Sequence, residues 1–162
     1  DGFDNITVRN CNINAIVSGN SQHAIFLDGS ILGLIENNNI FTQGQLSQGL
    51  YIKSSSNITV SENTISTQGQ QGYGIQFYIS QHMIVEDNII STQDLSGYGL
   101  YAIMLENSTI TGNEINTQGN SASGFILYKI NNTDISNNNI STLGQSAYGL
   151  EASFGTDKKI GR

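Results

Sequence analysis

A repeat of 25 residues runs through almost the whole chain. A glycine followed by an apolar residue recurs at this interval, and an asparagine two residues before an isoleucine recurs with it. The glycines are Gly49, Gly74, Gly99, Gly124 and Gly149, and the asparagines are Asn38, Asn63, Asn88, Asn113 and Asn138. A fixed period of this size is typical of solenoids, whose repeats bury their apolar side only by stacking. The repeat therefore predicts a single elongated domain over residues 1–162.

One repeat contains three short segments of strand character. Ile58 and Val60 alternate with polar residues, which is the period of a half-buried strand. A polar corner follows at residues 62–64, and Ile65 is apolar again. After a polar turn, Ile75 and Phe77 flank Gln76 in a further alternating segment. Three strands joined by polar turns predict one coil of a parallel β-helix.

Stacked coils align the apolar residues into inward columns, and six coils account for the chain. The predicted fold class is therefore all-β, a right-handed, single-stranded parallel β-helix of about six coils with 25 residues per coil. Two of the predicted columns are Val8, Ile35, Val60, Val85, Ile110, Ile135 and Ile13, Ile40, Ile65, Ile90, Ile115, Ile140. Two others are Ile25, Leu50, Ile75, Leu100, Phe125, Leu150 and Leu27, Ile52, Phe77, Ala102, Leu127, Ala152.

Other solenoid classes do not fit the pattern. Helical repeats usually need 33 or more residues and an apolar period near 3.6, whereas the apolar period here is 2. The leucine-rich signature is absent. The chain has no proline, which suits strands whose backbone donors are all needed by neighbouring coils.

The recurrent asparagines are predicted to form a structural ladder at one corner of the coil. An asparagine amide both donates and accepts, so the same residue one coil away can satisfy it. The ladder comprises Asn38, Asn63, Asn88, Asn113 and Asn138, and Cys11 takes the equivalent place in the first coil. With a single cysteine, no internal disulfide is available.

Charge and composition limit the partners. Six Lys and Arg stand against 13 Asp and Glu, a net charge of −7. Nucleic acids and anionic membranes require clustered cations, so neither is expected as a partner. No membrane span or signal peptide is visible in the sequence. The chain opens within a repeat, so we expect a part of a longer protein in which residues 155–162 form a tail.

The repeat resembles that of the pectin-lyase-like superfamily. The resemblance rests on residues 57–65 (NITVSENTI) and 83–90 (MIVEDNII), and it covers about residues 5–154. It implies a secreted or surface protein that is a rigid scaffold or carbohydrate-binding module. The alternative that it implies is a fragment of a polysaccharide lyase, glycoside hydrolase or epimerase. The long loops that build the clefts of such enzymes are absent from this repeat.

Candidate catalytic or metal-binding residues are sparse, and no catalytic residue is assigned. Glu62 and Asp87 fall in one column on adjacent coils, with Glu86 beside them, so Ca²⁺ is the one cofactor considered. The alternative is a solvated corner and no cofactor. His23 and His82 lie in different columns, which argues against a shared site.

Tyrosines give the clearest candidate binding surface. By alternation, Tyr51 and Tyr101 point outward, and Tyr73, Tyr98 and Tyr148 form a neighbouring column. Exposed tyrosines can stack on sugar rings and hydrogen-bond to them, whereas the structural alternative is that they only cover the sheet. We therefore expect a polysaccharide or cell-surface glycan as partner. Ice binding is disfavoured, because residues 109–111 form the single full Thr-x-Thr match. Open strand edges at the ends also predict head-to-tail self-association.

Overall fold

The computed structural model describes residues 4–16 and 21–153, and every regular element in them is a β-strand. Eighteen strands, three per coil, stack into a solenoid with three faces, which confirms the predicted fold class. Face 1 consists of β1 (Asp4–Arg9), β4 (Ile31–Glu36), β7 (Ser56–Ser61), β10 (Ile84–Glu86), β13 (Thr109–Thr111) and β16 (Asp134–Ser136).

The other two faces complete each coil. Face 2 consists of β2 (Asn12–Ala15), β5 (Asn39–Thr42), β8 (Thr64–Thr67), β11 (Ile89–Thr92), β14 (Glu114–Thr117) and β17 (Asn139–Thr142). Face 3 consists of β3 (Ile25–Asp28), β6 (Leu50–Lys53), β9 (Ile75–Gln81), β12 (Leu100–Glu106), β15 (Phe125–Tyr128) and β18 (Leu150–Ser153).

All strands pair in parallel with the equivalent strand one coil away. Val60 lies between Ile35 and Val85, and Ile90 lies between Ile65 and Ile115. This register is the one that the 25-residue period predicts. The first coil is two residues longer, and the extra residues fall between β2 and β3, since Ile13 pairs with Ile40 whereas Ile25 pairs with Leu50. The longer first coil thus leaves the strand pairing intact.

The core is the stack of inward columns. In the central coils these side chains are fully buried, and the two largest are Phe77 and Phe125. A β-strand places alternate residues on opposite sides, so each strand contributes only one to three apolar residues to the core. Its other side chains form the outer surface of the face.

The asparagines form the ladder at the corner between faces 1 and 2. The Oδ1 of Asn88 accepts from the backbone N–H of Asn63 at 3.0 Å and from its Nδ2 at 2.9 Å. The Nδ2 of Asn88 donates to Val60 O, Glu86 O and Asn113 Oδ1 at 2.9–3.0 Å. The buried corner therefore has its backbone groups hydrogen-bonded by side chains from the adjacent coils.

A threonine column closes the turn between faces 2 and 3. The hydroxyl of Thr42 donates to the carbonyl of Ser47 at 3.0 Å, five residues on, and Thr67, Thr92 and Thr117 make the equivalent bond. These hydroxyls are buried, so their bonds satisfy turn carbonyls that water cannot reach.

The coil ends bear on the predicted self-association. In the last described coil, each of the strands β16, β17 and β18 pairs with one strand among the described residues. Leu150, in β18, is 46% exposed. The predicted tail at residues 155–162 lies outside the described part of the chain. Head-to-tail association therefore stays a prediction. Within residues 4–16 and 21–153, no helix long and apolar enough to cross a membrane is found.

Candidate functional site

The outer side of face 3 carries most of the aromatic residues that the structure describes. Two outward columns alternate with the inward ones along its strands, and a further column lies in the turn just before each strand. We use the name aromatic surface for its ring-bearing members. These are His23, Phe26, Tyr51, Tyr73, Tyr78, Tyr98, Tyr101, Tyr128 and Tyr148.

Four of these tyrosines form one contiguous ring cluster. Tyr73 and Tyr98 stack at 5.0 Å between ring centroids with an interplanar angle of 14°. Tyr101 lies 5.0 Å from Tyr73 and 5.8 Å from Tyr98, and Tyr128 meets Tyr101 edge-on at 6.0 Å. Offset-stacked and edge-to-face pairs at such distances are the favourable aromatic geometries. The cluster extends over three successive coils.

Burial in the cluster favours the neutral form of three phenol groups, those of Tyr73, Tyr98 and Tyr101. Burial raises the pKa of Tyr73 to about 12, and the nearby Tyr98, Tyr101 and Tyr128 add to the rise. Burial also raises the pKa values of Tyr98 and Tyr101. A neutral phenol both donates and accepts hydrogen bonds. The surface therefore combines apolar rings with uncharged hydroxyls, which is chemistry that suits a neutral polyol.

The tyrosines also cover an apolar residue that points outward. Ile126 follows Tyr101 in the same outward column and is nevertheless 3% exposed. Tyr128 adjoins it two residues along the same strand, on the same side. Tyr101, Tyr128 and Glu151 are the outward neighbours of Ile126, so removing the two rings should increase its exposure to water.

A second group of rings lies in the first two coils. The His23 ring is 5.0 Å from Tyr51 and 5.9 Å from Phe26, and Phe26 is 5.2 Å from Tyr51. Beside this group, Lys53 Nζ forms a 2.9 Å ion pair with Asp28 Oδ2. Gln76 occupies the outward position between Tyr51 and Tyr101 and separates the two groups.

The five predicted sugar-binding tyrosines are thus distributed unevenly. Tyr73, Tyr98 and Tyr101 come together, Tyr51 belongs to the group of rings in the first two coils, and Tyr148 is 59% exposed in the last coil. Tyr78 and Tyr128 were not predicted, although each is four residues after a repeat glycine and alternation places that position outward. His23 and Phe26 were also missed as members of this surface.

The predicted acidic group lies elsewhere, at the corner after face 1. Glu62 and Asp87 are exposed there with left-handed backbone, and Glu62 N donates to Glu86 O at 3.2 Å. The Asp87 carboxylate lies against Gly112, so a Cβ at position 112 would overlap Asp87 Oδ1. The described residues contain no group of three His, Cys, Asp or Glu side chains that could hold a metal ion. Glu62, Glu86 and Asp87 therefore do not form such a group.

His23 is held in its neutral form by its surroundings. Its Nδ1 accepts a hydrogen bond from the backbone N–H of Gln48 at 3.2 Å, so a proton on Nδ1 would face a donor. Burial also lowers its pKa from 6.5. The unfolded chain therefore takes up a proton at His23 at a higher pH than the folded chain does.

Acidification should consequently destabilise the fold through His23. Stability that is fully present above pH 6.5 should decline as the pH falls below 6.5, until the folded-state pKa is reached. Urea midpoints measured between about pH 7.5 and pH 5 avoid most carboxylate titration. The His23→Asn variant should lose this dependence, whereas the exposed His82→Asn should retain it. Equal pH dependence in both variants would contradict this role of His23.

The family of the chain follows from a comparison with protein-family models. One model, described as periplasmic copper-binding protein (NosD), matches residues 1–160. The chain belongs to the NosD family. This membership agrees with the resemblance in its repeat, because NosD proteins are parallel β-helices of the pectin-lyase-like type. No curated protein and no solved structure matches the chain.

Proposed function

We propose that this chain is a rigid β-helix scaffold that works outside the cytoplasm and binds a neutral polysaccharide on its aromatic surface. The location is supported by the family, whose description is periplasmic. The scaffold role is supported by the uninterrupted stack of six coils. The binding role depends on one observation, which is the cluster formed by Tyr73, Tyr98, Tyr101 and Tyr128.

The geometry of the cluster favours a sugar over an ionic ligand. Its rings offer apolar edges and faces to the C–H side of a sugar, and its hydroxyls remain neutral donors and acceptors. Lys53, the cation on face 3, is already paired with Asp28. With a net charge of −7, the chain offers no cationic cluster to receive carboxylates. Neutral glycans should therefore bind better than polyuronates.

Copper binding, which the family description names, is not supported by the side chains of this chain. The sequence contains two histidines, one cysteine and two methionines. Cys11 lies at the corner between faces 1 and 2, His23 leads into face 3, and His82 lies at the corner between faces 3 and 1. Since copper prefers several imidazole or sulfur ligands together, the separate corners of the cysteine and the two histidines do not fit it. We derive no copper chemistry for the chain.

Removing two rings of the cluster should abolish glycan binding. The double variant Tyr98→Ala with Tyr101→Ala should lose binding on a glycan array, because both stacking rings and two hydroxyls disappear. It should also be modestly less stable, since Ile126 loses its cover. Tyr98→Phe with Tyr101→Phe keeps the rings, so it separates stacking from hydrogen bonding. Phe41→Ala, an outward aromatic change on face 2, should leave binding unchanged.

Two outcomes on the array would count against this proposal. The first is an absence of binding to any glycan, which would leave the tyrosines as a cover for the sheet. The second is calcium-dependent binding of polyuronates that survives the double variant. That result would direct attention to Glu62, Glu86 and Asp87 and to a fragment of a polysaccharide lyase, hydrolase or epimerase.

A further inference from the structure

A notch lies at the corner between faces 3 and 1, outside the aromatic surface. Its volume is about 440 Å³, which is within the range of ligand sites. Three consecutive serines, Ser54, Ser55 and Ser56, are among its lining residues, and we call it the serine notch. Ile31 stands in the coil before the serines and Ile79 in the coil after them.

The walls of the serine notch are aliphatic and open to solvent. Ile31 is 50% exposed and Ile79 is 47% exposed. Met104, one coil after Ile79, also lines the notch. Exposed apolar side chains that lie together on a protein surface favour contact with another molecule.

Ile79 is held in a backbone conformation that does not suit it. Its φ is 53°, in the left-handed region, where a β-branched residue is an outlier. The equivalent positions in neighbouring coils are Gly29, Ser54, Met104 and Lys129. Because its side chain points to solvent, Ile79 gains no core packing that would offset this strain. What the isoleucine contributes at this position is the apolar wall of the notch.

We propose that the serine notch docks an extended segment of a partner protein that presents a branched aliphatic side chain next to a basic one. The walls lack aromatic rings, so they favour an aliphatic group rather than a stacked sugar. Glu106 is the charged residue that lines the notch, and its carboxylate is complementary to a lysine or arginine. Gln81 and the outward-facing Ser54 and Ser56 offer hydrogen-bonding groups to the backbone of such a segment.

This docking does not depend on glycan binding. The serine notch shares none of its lining residues with the aromatic surface, and the nearest outward column of face 3 carries Tyr78 and Ile103. The double variant Tyr98→Ala with Tyr101→Ala, which should no longer bind glycans, should still bind the partner segment at the serine notch. The two proposals can therefore fail separately.

A displayed library of random short peptides, selected on the immobilised wild-type chain, tests the proposal. Enriched peptides should contain isoleucine, leucine or valine next to lysine or arginine. Synthetic copies, measured by fluorescence polarisation, should bind the Ile79→Asn variant more than about tenfold more weakly, as expected for loss of an anchor wall. The Glu106→Gln variant should weaken binding and reduce its dependence on salt.

Two controls separate docking from folding. Asparagine tolerates the left-handed region, so Ile79→Asn should be at least as stable as the wild type in urea. Ile89→Asn removes an equally exposed isoleucine from the outer side of face 2 and should leave peptide binding unchanged. Enrichment of peptides that bind Ile79→Asn as well as wild type would overturn the proposal. So would Ile79-dependent sedimentation with phosphatidylcholine vesicles in the absence of any enriched peptide.

Discussion

Replacing Gly99 with alanine should lower the free energy of unfolding by about 3 kcal/mol or more. A Cβ at this position would overlap Ile115 Cγ2 in the core and would lie 2.8 Å from the carbonyl oxygen of Gly124. One obstacle is a packed side chain and the other is the backbone of the next coil, so neither can yield without shifting the stack. Chemical denaturation of the variant measures the loss.

Gly149 provides a matched control for this substitution. It occupies the same column in the last described coil, and nothing lies within 4 Å of the place where its Cβ would be. Gly149→Ala should therefore be close to neutral. Similar losses for Gly99→Ala and Gly149→Ala would mean that backbone flexibility, and not the close approach of coils, explains the glycine column.

Replacing Asn88 with alanine should cost about 3 kcal/mol, because several buried groups lose their partners together. The backbone N–H of Asn63 would have no acceptor, and the carbonyl of Val60 would lose its side-chain donor. Asn139→Ala, on the exposed side of face 2, is the control and should cost little. Urea denaturation of the two variants gives the comparison.

An aspartate at position 88 sharpens this test. A carboxylate has the same shape as the amide but cannot donate to Val60 O, Glu86 O or Asn113 Oδ1, so it would face three acceptors. Asn88→Asp should therefore be less stable than Asn88→Ala at neutral pH. The difference should shrink as the pH falls and the carboxyl group is protonated. A pH-independent difference would contradict a role of Asn88 as hydrogen-bond donor.

The strand register was predictable from the sequence because the repeat is regular. In the structure, Val60 and Ile90 fall in the inward columns that the 25-residue period predicts. Parallel pairing of equivalent residues requires only that successive coils have equal length, and this holds from Ile25 onward. The two extra residues of the first coil change the spacing between β2 and β3 without altering either column.

The arrangement of the aromatic surface was less predictable. Periodicity shows which side of the sheet a ring occupies, but which rings touch depends on side-chain rotamers. Tyr51 packs with His23 and Phe26, which share their columns with Tyr73 and Tyr101, but Gln48 and Gln76 interrupt these columns and divide the rings into two groups. Tyr128 joins the cluster from a column in which Lys53 and Ile103 also occur, so no simple repeat of tyrosines pointed to it.

The position of Ile79 in the serine notch shows another limit of prediction from the sequence. Residues 75–79 read as an uninterrupted alternation, in which Ile75, Phe77 and Ile79 would share the inward side. The chain turns at Ile79, however, and its left-handed backbone places this side chain outside while Ser80 becomes buried. A corner inside an alternating segment leaves no mark in the hydrophobic pattern of that coil, so alternation alone would not show that Ile79 is exposed.

The ladder of asparagines has a consequence for how the chain reaches its native state. Each bond of the ladder joins residues of the same coil or of adjacent coils, and the longest of them spans 30 positions. Two neighbouring coils therefore contain everything that a nucleus requires, and every later coil adds to an edge that already exists. A chain built in this way can fold progressively from whichever end is first released, without waiting for the other end to arrive.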